Sequence, residues 1–246
     1  MTRLVATMER VVLVHGSVVG GRGTWSLQRR GLGDRLDLVV LERPGFPPNP
    51  PVDSVDFELE ARSLAEHIRL GDHLVGHSYG GVISLLTAAA VGDRLGSLTV
   101  IEPPCTQVAK GITAVDAFAE GGRSWWSDGP RDDPETYLRG FLRSVGSTFE
   151  PPSPLPPDLA QGARTLLVER GPWEAQIPLG RLAGMAFPKL VVSGAHHPAF
   201  EAICDVLERE LAAERLVYPG YGHAPQRHPG FNEAFAEFVE RASRAS

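Results

Sequence analysis

The sequence predicts an α/β protein with a mostly parallel sheet flanked by helices and a helical cap inserted into it. Three observations carry this expectation. Short apolar runs rich in Val, Ile and Leu recur along the chain of 246 residues. Each ends in a Gly or Pro turn and most lead into a segment of helical periodicity, the succession that βαβ units produce. One such transition, HLVGHSYGGVISLLTAAA at 73–90, compresses strand, Gly-rich turn and helix into a single stretch. Residues 105–187 then lose the rhythm and show helical pieces and proline clusters with no clear strand, which marks an insertion. The expected division is a core domain of residues 1–104 and 188–246 with a cap of residues 105–187.

Bulk composition fits one soluble globular unit. Hydrophobic residues make up 42% and charged residues 22%, both ordinary for a chain that buries a core. Basic residues number 24 against 30 acidic, a net charge of −6 with no Lys/Arg run, so no nucleic-acid partner is expected. The start MTRLVATMERVVLVHG lacks the charged segment, apolar core and cleavage site of a secretory leader, and no apolar run approaches the roughly 18 residues of a membrane span. A cytoplasmic protein without membrane attachment is expected. Cys105 and Cys204 are far apart and lack Cys/His metal spacing, so both are expected to be buried thiols, with no structural zinc and no cofactor. The sequence carries no signal for oligomeric state.

After a short start expected to be mobile, ERVVLVHG (9–16) has the β-branched character of a strand buried on both faces. A Gly-rich loop (17–25) and a helix near 26–33 lead to a second strand in LDLVVLERPGF (36–46). PPNPP (47–51) blocks regular structure. A helix is expected to restart near Ser54, capped by Asp53 or Ser54, with Phe57, Leu59, Leu64, Ile68 and Leu70 on its apolar face. The 73–90 stretch follows, then a strand in SLTVIEPP (97–104). Within the insertion, Asp133 is placed to cap a helix that has Pro134 at its first position and Glu135 favouring its dipole. The alternation resumes with PKLVVSGAHHP (188–198), the helix AFEAICDVLERELAAE, the strand in RLVYPGYGHAP and a closing amphipathic helix.

The chemistry centres on Gly76-His77-Ser78-Tyr79-Gly80. A Gly-x-Ser-x-Gly turn between strand and helix holds its serine in a strained backbone conformation with the hydroxyl exposed, and small neighbours let strand and helix close together. In a chain with 27 glycines the pentapeptide alone could equally be an ordinary Gly-rich turn. Its setting between strand and helix decides for a nucleophile.

VLVHG, ERPGF, GHSYGG, IEPP, VVSGAHHP and YGHAP occur in order over residues 10–104 and 188–242, and in these the chain resembles the α/β-hydrolase superfamily. The resemblance implies a Ser78 nucleophile and, in the loop after the last strand, His223 as its base. His15 and His77 are expected to pack or hydrogen-bond; His67, His73 and His228 are expected to be structural or exposed. The acid's usual place after LVVSG is occupied by AHHP, with His197 where an Asp would stand. Some superfamily members carry the acid at the end of the strand after the elbow, which here is Glu102. Glu201, Asp205 or no functional acid at all are the other possibilities, and His197 could be no more than a surface residue. The resemblance further implies oxyanion N–H donors at Tyr79 and at Ser17, with Val18 as the alternative.

Phe118, Trp125, Trp126, Tyr137, Phe141 and Trp173 could line an acyl pocket, although aromatics in a small helical insertion more often pack its own core. The function expected is a cofactor-independent serine hydrolase cleaving an ester-type bond of a small molecule. The same scaffold could instead act as a C–C hydrolase, lactonase, thioesterase or lyase, or as a non-catalytic ligand-binding homologue. Dehalogenase and epoxide-hydrolase chemistry are disfavoured because Ser78 stands where a carboxylate nucleophile would be needed.

Overall fold

The computed structural model describes residues 8–245, so the start expected to be mobile lies, apart from Met8, outside the described residues. Six strands form one parallel sheet: β1 (Arg10–Val14), β2 (Asp37–Val40), β3 (Asp72–His77), β4 (Leu95–Ile101), β5 (Lys189–Ser193) and β6 (Glu214–Val217), in the spatial order β2-β1-β3-β4-β5-β6. Alternate residues of β1 feed opposite cores. Val12 and Val14 join Leu74, Val100 and Val191 on one face, whereas Val11 and Leu13 join Val75, Ile101 and Val192 on the other. Both faces of the central strands are covered, which is why their middle residues are apolar on both sides.

On the first face lie α3 (Phe57–His67), α4 (Tyr79–Val91) and α9 (Pro198–Leu211), through buried Leu64, Val82 and Ile203 among others. The second face is covered by α2 (Ser26–Leu32), which follows the short α1 (Gly21–Thr24), and by α10 (Phe231–Ala245), whose Phe231, Phe235 and Phe238 are buried. The chain passes from β1 outward to β2 and then returns to β3 on the other side of β1. The carboxyl ends of β1 and β3 therefore diverge into a crevice, the place where open parallel sheets take ligands.

Two details of α3 differ from expectation. Its cap is Asp56, whose carboxylate accepts from the Glu58 and Leu59 N–H groups at 2.7 and 3.1 Å, and not Asp53 or Ser54. Val55 is held extended by a bridge to Glu169, with its N–H on Val168 O and its carbonyl accepting from Arg170 N, so the helix cannot begin earlier. Leu59 and Leu70 are exposed, while Phe57, Ala61, Leu64 and Ile68 face the core. Leu59 sits about 200° around the helix from Phe57, and Leu70 lies beyond the helix end.

Between β4 and β5 the described residues form four helices, α5 (Thr113–Asp128), α6 (Pro134–Ser144), α7 (Pro157–Leu166) and α8 (Leu179–Ala183), and contribute no strand to the sheet. Asp133 caps α6 through the Thr136 N–H at 3.1 Å. This segment has its own small core of Tyr137, Leu138, Leu142, Ala163 and Leu166 with Val18. Its Val115, Ala175 and Leu182 instead join the main core. No helix among the described residues is long and apolar enough to cross a membrane.

Candidate active site

At the carboxyl end of β3 the backbone turns at Ser78, with φ 54° and ψ −124°, directly into α4. A non-glycine residue there is strained, and the surroundings hold it in place. The Ser78 N–H donates to Ile101 O at 2.8 Å. A Cβ on Gly80 would come within 2.5 Å of the Val14 carbonyl oxygen, and one on Gly16 would meet the Ser78 Cβ at 2.8 Å, so the loop after β1 and the elbow pack backbone to backbone.

His223 lies in the loop between β6 and α10. Its carbonyl accepts from the His77 Nε2–H at 2.7 Å, so His77 fixes the loop that carries it. Burial and the neighbouring His223 hold His77 down at about 3, which keeps it neutral. The His223 Nε2 stands 2.8 Å from Ser78 Oγ and its Nδ1 3.1 Å from Glu102 Oε2. With Nδ1–H donating to the carboxylate, Nε2 is free to accept from the serine hydroxyl.

Glu102 leaves β4 with φ 50°, in the left-handed region, its own N–H donating to Val192 O at 3.0 Å. The side chain is fully buried, and its Oε1 accepts from the Gly194 N–H at 2.6 Å. Burial raises its carboxyl to about 7 against the opposing pull of His196 and that N–H. Burial also lowers His223, to about 3, with His196 and His197 acting in the same direction. The other carboxylates considered are committed elsewhere. Glu201 accepts from Ser193 Oγ and Ala195 N and pairs with Arg215 at 2.9 Å, while Asp205 lies 3.6 Å from Arg215.

Tyr79 is the first residue of α4, where backbone N–H groups have no partner within the helix. Ser17 and Val18, the latter at φ 80°, form the loop after β1 that faces it. The Ser17 hydroxyl donates to Glu169, a buried carboxylate of the helical segment. Glu169 pairs with Arg43 at 3.0 Å, and Arg43 also makes two 2.9 Å bonds to Glu60, donates to Gly16 O at 2.9 Å and lies 4.5 Å from the Tyr79 ring centroid. The segment between β4 and β5 thus reaches the loop that carries the candidate oxyanion donor.

Two cavities meet at Ser17 and Ser78. One, of about 480 Å³, is mainly apolar and walled by Phe118, Trp125, Trp126, Phe141, Trp173 and Phe200. The other, of about 460 Å³, passes His223 and Thr148 and is more polar. Of the six insertion aromatics considered from sequence, only Tyr137 is pure core; the other five border the first cavity. His197 is half-buried at the same wall, beside Phe118 and Phe200, and its Nδ1 caps α9 by accepting from Ala199 N at 3.2 Å. It is therefore more than a surface residue.

Of the remaining histidines, His15 is buried, its Nδ1 hydrogen-bonded to Gly16 O and its Nε2 accepting from Arg43 N. His73 bonds Ser97 and Ser243, His67 bonds Ser63 O at the surface, and His228 stacks on Tyr218. Both cysteines are buried, and burial pushes the Cys105 thiol up to about 12, far from a reactive thiolate. Arg43, Glu169, His196 and the Gly194 N–H are the neighbours of the site that sequence reasoning missed. The ERPGF motif pointed at Arg43, whereas nothing local distinguishes Glu169 from other carboxylates of the insertion.

A model of the Alpha/beta hydrolase family matches residues 11–235. Among curated proteins, the biotin biosynthesis bifunctional protein BioHC of Teredinibacter turnerae is 29% identical over 131 residues, 48% of this chain and 22% of that protein. The match thus spans about a fifth of that relative's length. A solved structure of a membrane phospholipase A, described as a bacterial virulence factor, superposes with TM-score 0.72 at 22% identity, over 96% of this chain and 80% of its own. A variant of the N-acyl homoserine lactonase AidH gives 0.71 at 19% identity (96% and 90%), and a thermophilic esterase from Thermogutta terrifontis gives 0.64 at 21% (96% and 91%). At these identities the structural likeness is one of fold.

Proposed function

Because the chain belongs to the alpha/beta hydrolase family, we propose that it is a serine hydrolase that cleaves an ester-type bond of a small molecule through an acyl-enzyme. The observation that carries this reading is the continuous hydrogen-bonded path Ser78–His223–Glu102 opening onto a cavity of about 480 Å³. Ser78 Oγ attacks the carbonyl carbon while the His223 Nε2 takes its proton. Glu102 keeps the Nδ1–H tautomer in place and stabilises the imidazolium that forms. The Tyr79 and Ser17 N–H groups are assigned to the developing oxyanion, an interaction of about 3–4 kcal/mol per donor in a comparable site.

His223 then returns the proton to the departing alcohol. Water enters, His223 activates it in turn, and the acid is released. The aromatic wall of the first cavity suits a hydrophobic acyl group, and the more polar second cavity suits the leaving alcohol and the entering water.

The test is covalent labelling with a fluorophosphonate, followed by intact mass and peptide mapping, alongside hydrolysis of p-nitrophenyl butyrate. One adduct on Ser78 is expected, with loss of labelling and a rate lower by about 10³-fold or more in Ser78→Ala and His223→Ala. Folded wild-type protein that neither labels at Ser78 nor cleaves p-nitrophenyl esters or acyl lactones would refute the reading.

A further inference from the structure

The carboxylate that partners His223 has a second imidazole beside it. His196 leaves the loop after β5 with its Nδ1 3.6 Å from Glu102 Oε2, and its side chain is only 11% exposed. Its orientation is fixed from two sides. The Nε2–H donates to Val145 O at 3.0 Å, and the ring stacks on Phe200 at 5.8 Å with 21° between the planes. Because Nε2 carries the hydrogen, Nδ1 of the neutral ring presents a lone pair. That buried Nδ1 has no hydrogen-bond partner among the described residues. A lone pair facing a carboxylate oxygen calls for a positive charge in the gap, either a proton on that nitrogen or a metal cation.

We propose that Glu102 Oε2, His196 Nδ1 and His223 Nδ1 form a site for a divalent transition cation of the zinc type, and that its occupancy switches the active site off. Two imidazoles and one carboxylate are a donor set that zinc favours. Bonds of about 2.0–2.2 Å in a tetrahedral array put neighbouring donors about 3.3–3.6 Å apart. The separations to Glu102 Oε2 are 3.1 Å from His223 and 3.6 Å from His196, and all three donor atoms lie within 4.8 Å of one another. The third edge, between the two imidazole nitrogens, is bounded at 4.8 Å and has to shorten as the rings turn toward the ion. The Val145 carbonyl on the far nitrogen of His196 is the kind of outer partner that orients zinc-binding histidines.

Inhibition follows from the proton balance. For the metal–nitrogen bond to form, the single N–H proton of the neutral His223 ring moves from Nδ1 to Nε2 by way of solvent, a change of tautomer with no net proton release. That proton then faces Ser78 Oγ, where the ring can no longer accept the serine's hydrogen. Glu102 is withdrawn from the imidazole at the same moment. No oxidant or second substrate is needed, and chelation reverses the step.

The inhibitory part rests on the serine-hydrolase reading, but the site itself does not, so binding and activity are measured separately. Binding uses the full chain with Ser78→Ala, titrated with ZnCl₂ by calorimetry and with CoCl₂ by visible absorption. One ion per chain with the ligand-field bands of four-coordinate cobalt is expected, weakened roughly tenfold or more by His196→Ala and by His196→Asn. The second variant serves if the first misfolds. Inhibition of wild-type ester hydrolysis by ZnCl₂, reversed by EDTA, should shift by a similar factor in the His196 variants, each scaled to its own metal-free rate.

Unchanged cobalt bands and zinc affinity in both folded His196 variants would overturn the site. Wild-type hydrolysis undiminished at saturating zinc would overturn the inhibition. Tight binding that depends on His196, in a protein showing no hydrolysis at all, would uphold the site and refute the hydrolase reading instead.

Discussion

The carboxyl of Glu102 is shut away from water, and burial raises it from the ordinary 4.5 to about 7. A carboxyl raised in this way favours the fold most below about pH 4.5, and that contribution is lost as pH rises through about 7. Above that pH the protein carries a buried anion whose compensation is the Gly194 N–H and the His223 Nδ1–H. Glu102→Gln should therefore melt higher than wild type at pH 8, and the gap should close as the pH falls to 5, where wild-type Glu102 is itself protonated. Thermal melts across that range check this; a pH-independent gap would argue against it. The same substitution should lower kcat by about 10⁴-fold, because the amide favours the wrong imidazole tautomer. In wild type the acid limb of kcat/KM should fall near pH 7. That value belongs to the Glu102–His223 pair and not to either residue, since their protons are coupled.

At the scale of elements, the turn between β3 and α4 works because three backbones meet there. Gly80→Ala places a methyl against the backbone carbonyl oxygens of His15 and of Val14, the last residue of β1 and paired with Gly76 of β3. Loss of soluble protein, or a melting point lowered by about 10 °C or more, is expected; a variant that melts like wild type would mean the elbow has room to shift. Asp56→Ala should cost about 1 kcal/mol through the lost α3 cap, measured by urea denaturation. These two cases also mark what the sequence could reveal. The elbow was legible because its spacing is local, and the central parallel strands because burial on both faces fills their middle positions with consecutive apolar residues. The start of α3 was not, because Val55 is pinned by Glu169, far away in sequence, and no nearby residue records that bridge. Ser78, His223 and Glu102 stand at the ends of apolar strands or in a Gly/Pro loop, which made them candidates. His196 was overlooked because its role comes from facing Glu102 across the site, a relation that exists only after β4 and β5 pair.

Across the whole molecule, the helical segment and the sheet domain are joined by buried charge as well as by apolar contact. Arg43, with its side chain 2% exposed, serves Glu60 of α3, Glu169 of the segment and the Gly16 carbonyl of the loop after β1. Glu169 in turn holds the Ser17 hydroxyl, so the segment's seating and the candidate oxyanion loop share one hydrogen-bonded group. Removing the cation alone leaves carboxylates buried without a counter-charge, a loss of about 3–5 kcal/mol in such settings. Arg43→Met should therefore destabilise strongly. Adding Glu169→Gln to it should recover part of the loss, because the second change removes a carboxylate that the first left unpaired. Glu169→Gln alone should be milder, since Glu60 still pairs with Arg43 through two bonds. In that single variant the looser grip on Ser17 should appear as a lower kcat with KM little changed, the pattern of an interaction made mainly in the transition state. Urea denaturation of the two single variants and the double variant, with ester kinetics on each, measures both couplings. A double variant whose loss equals or exceeds the sum of the two single losses would show that Arg43 and Glu169 do not stabilise each other as a pair, and a KM effect without a kcat effect in Glu169→Gln would place that carboxylate in substrate binding instead of in the positioning of Ser17.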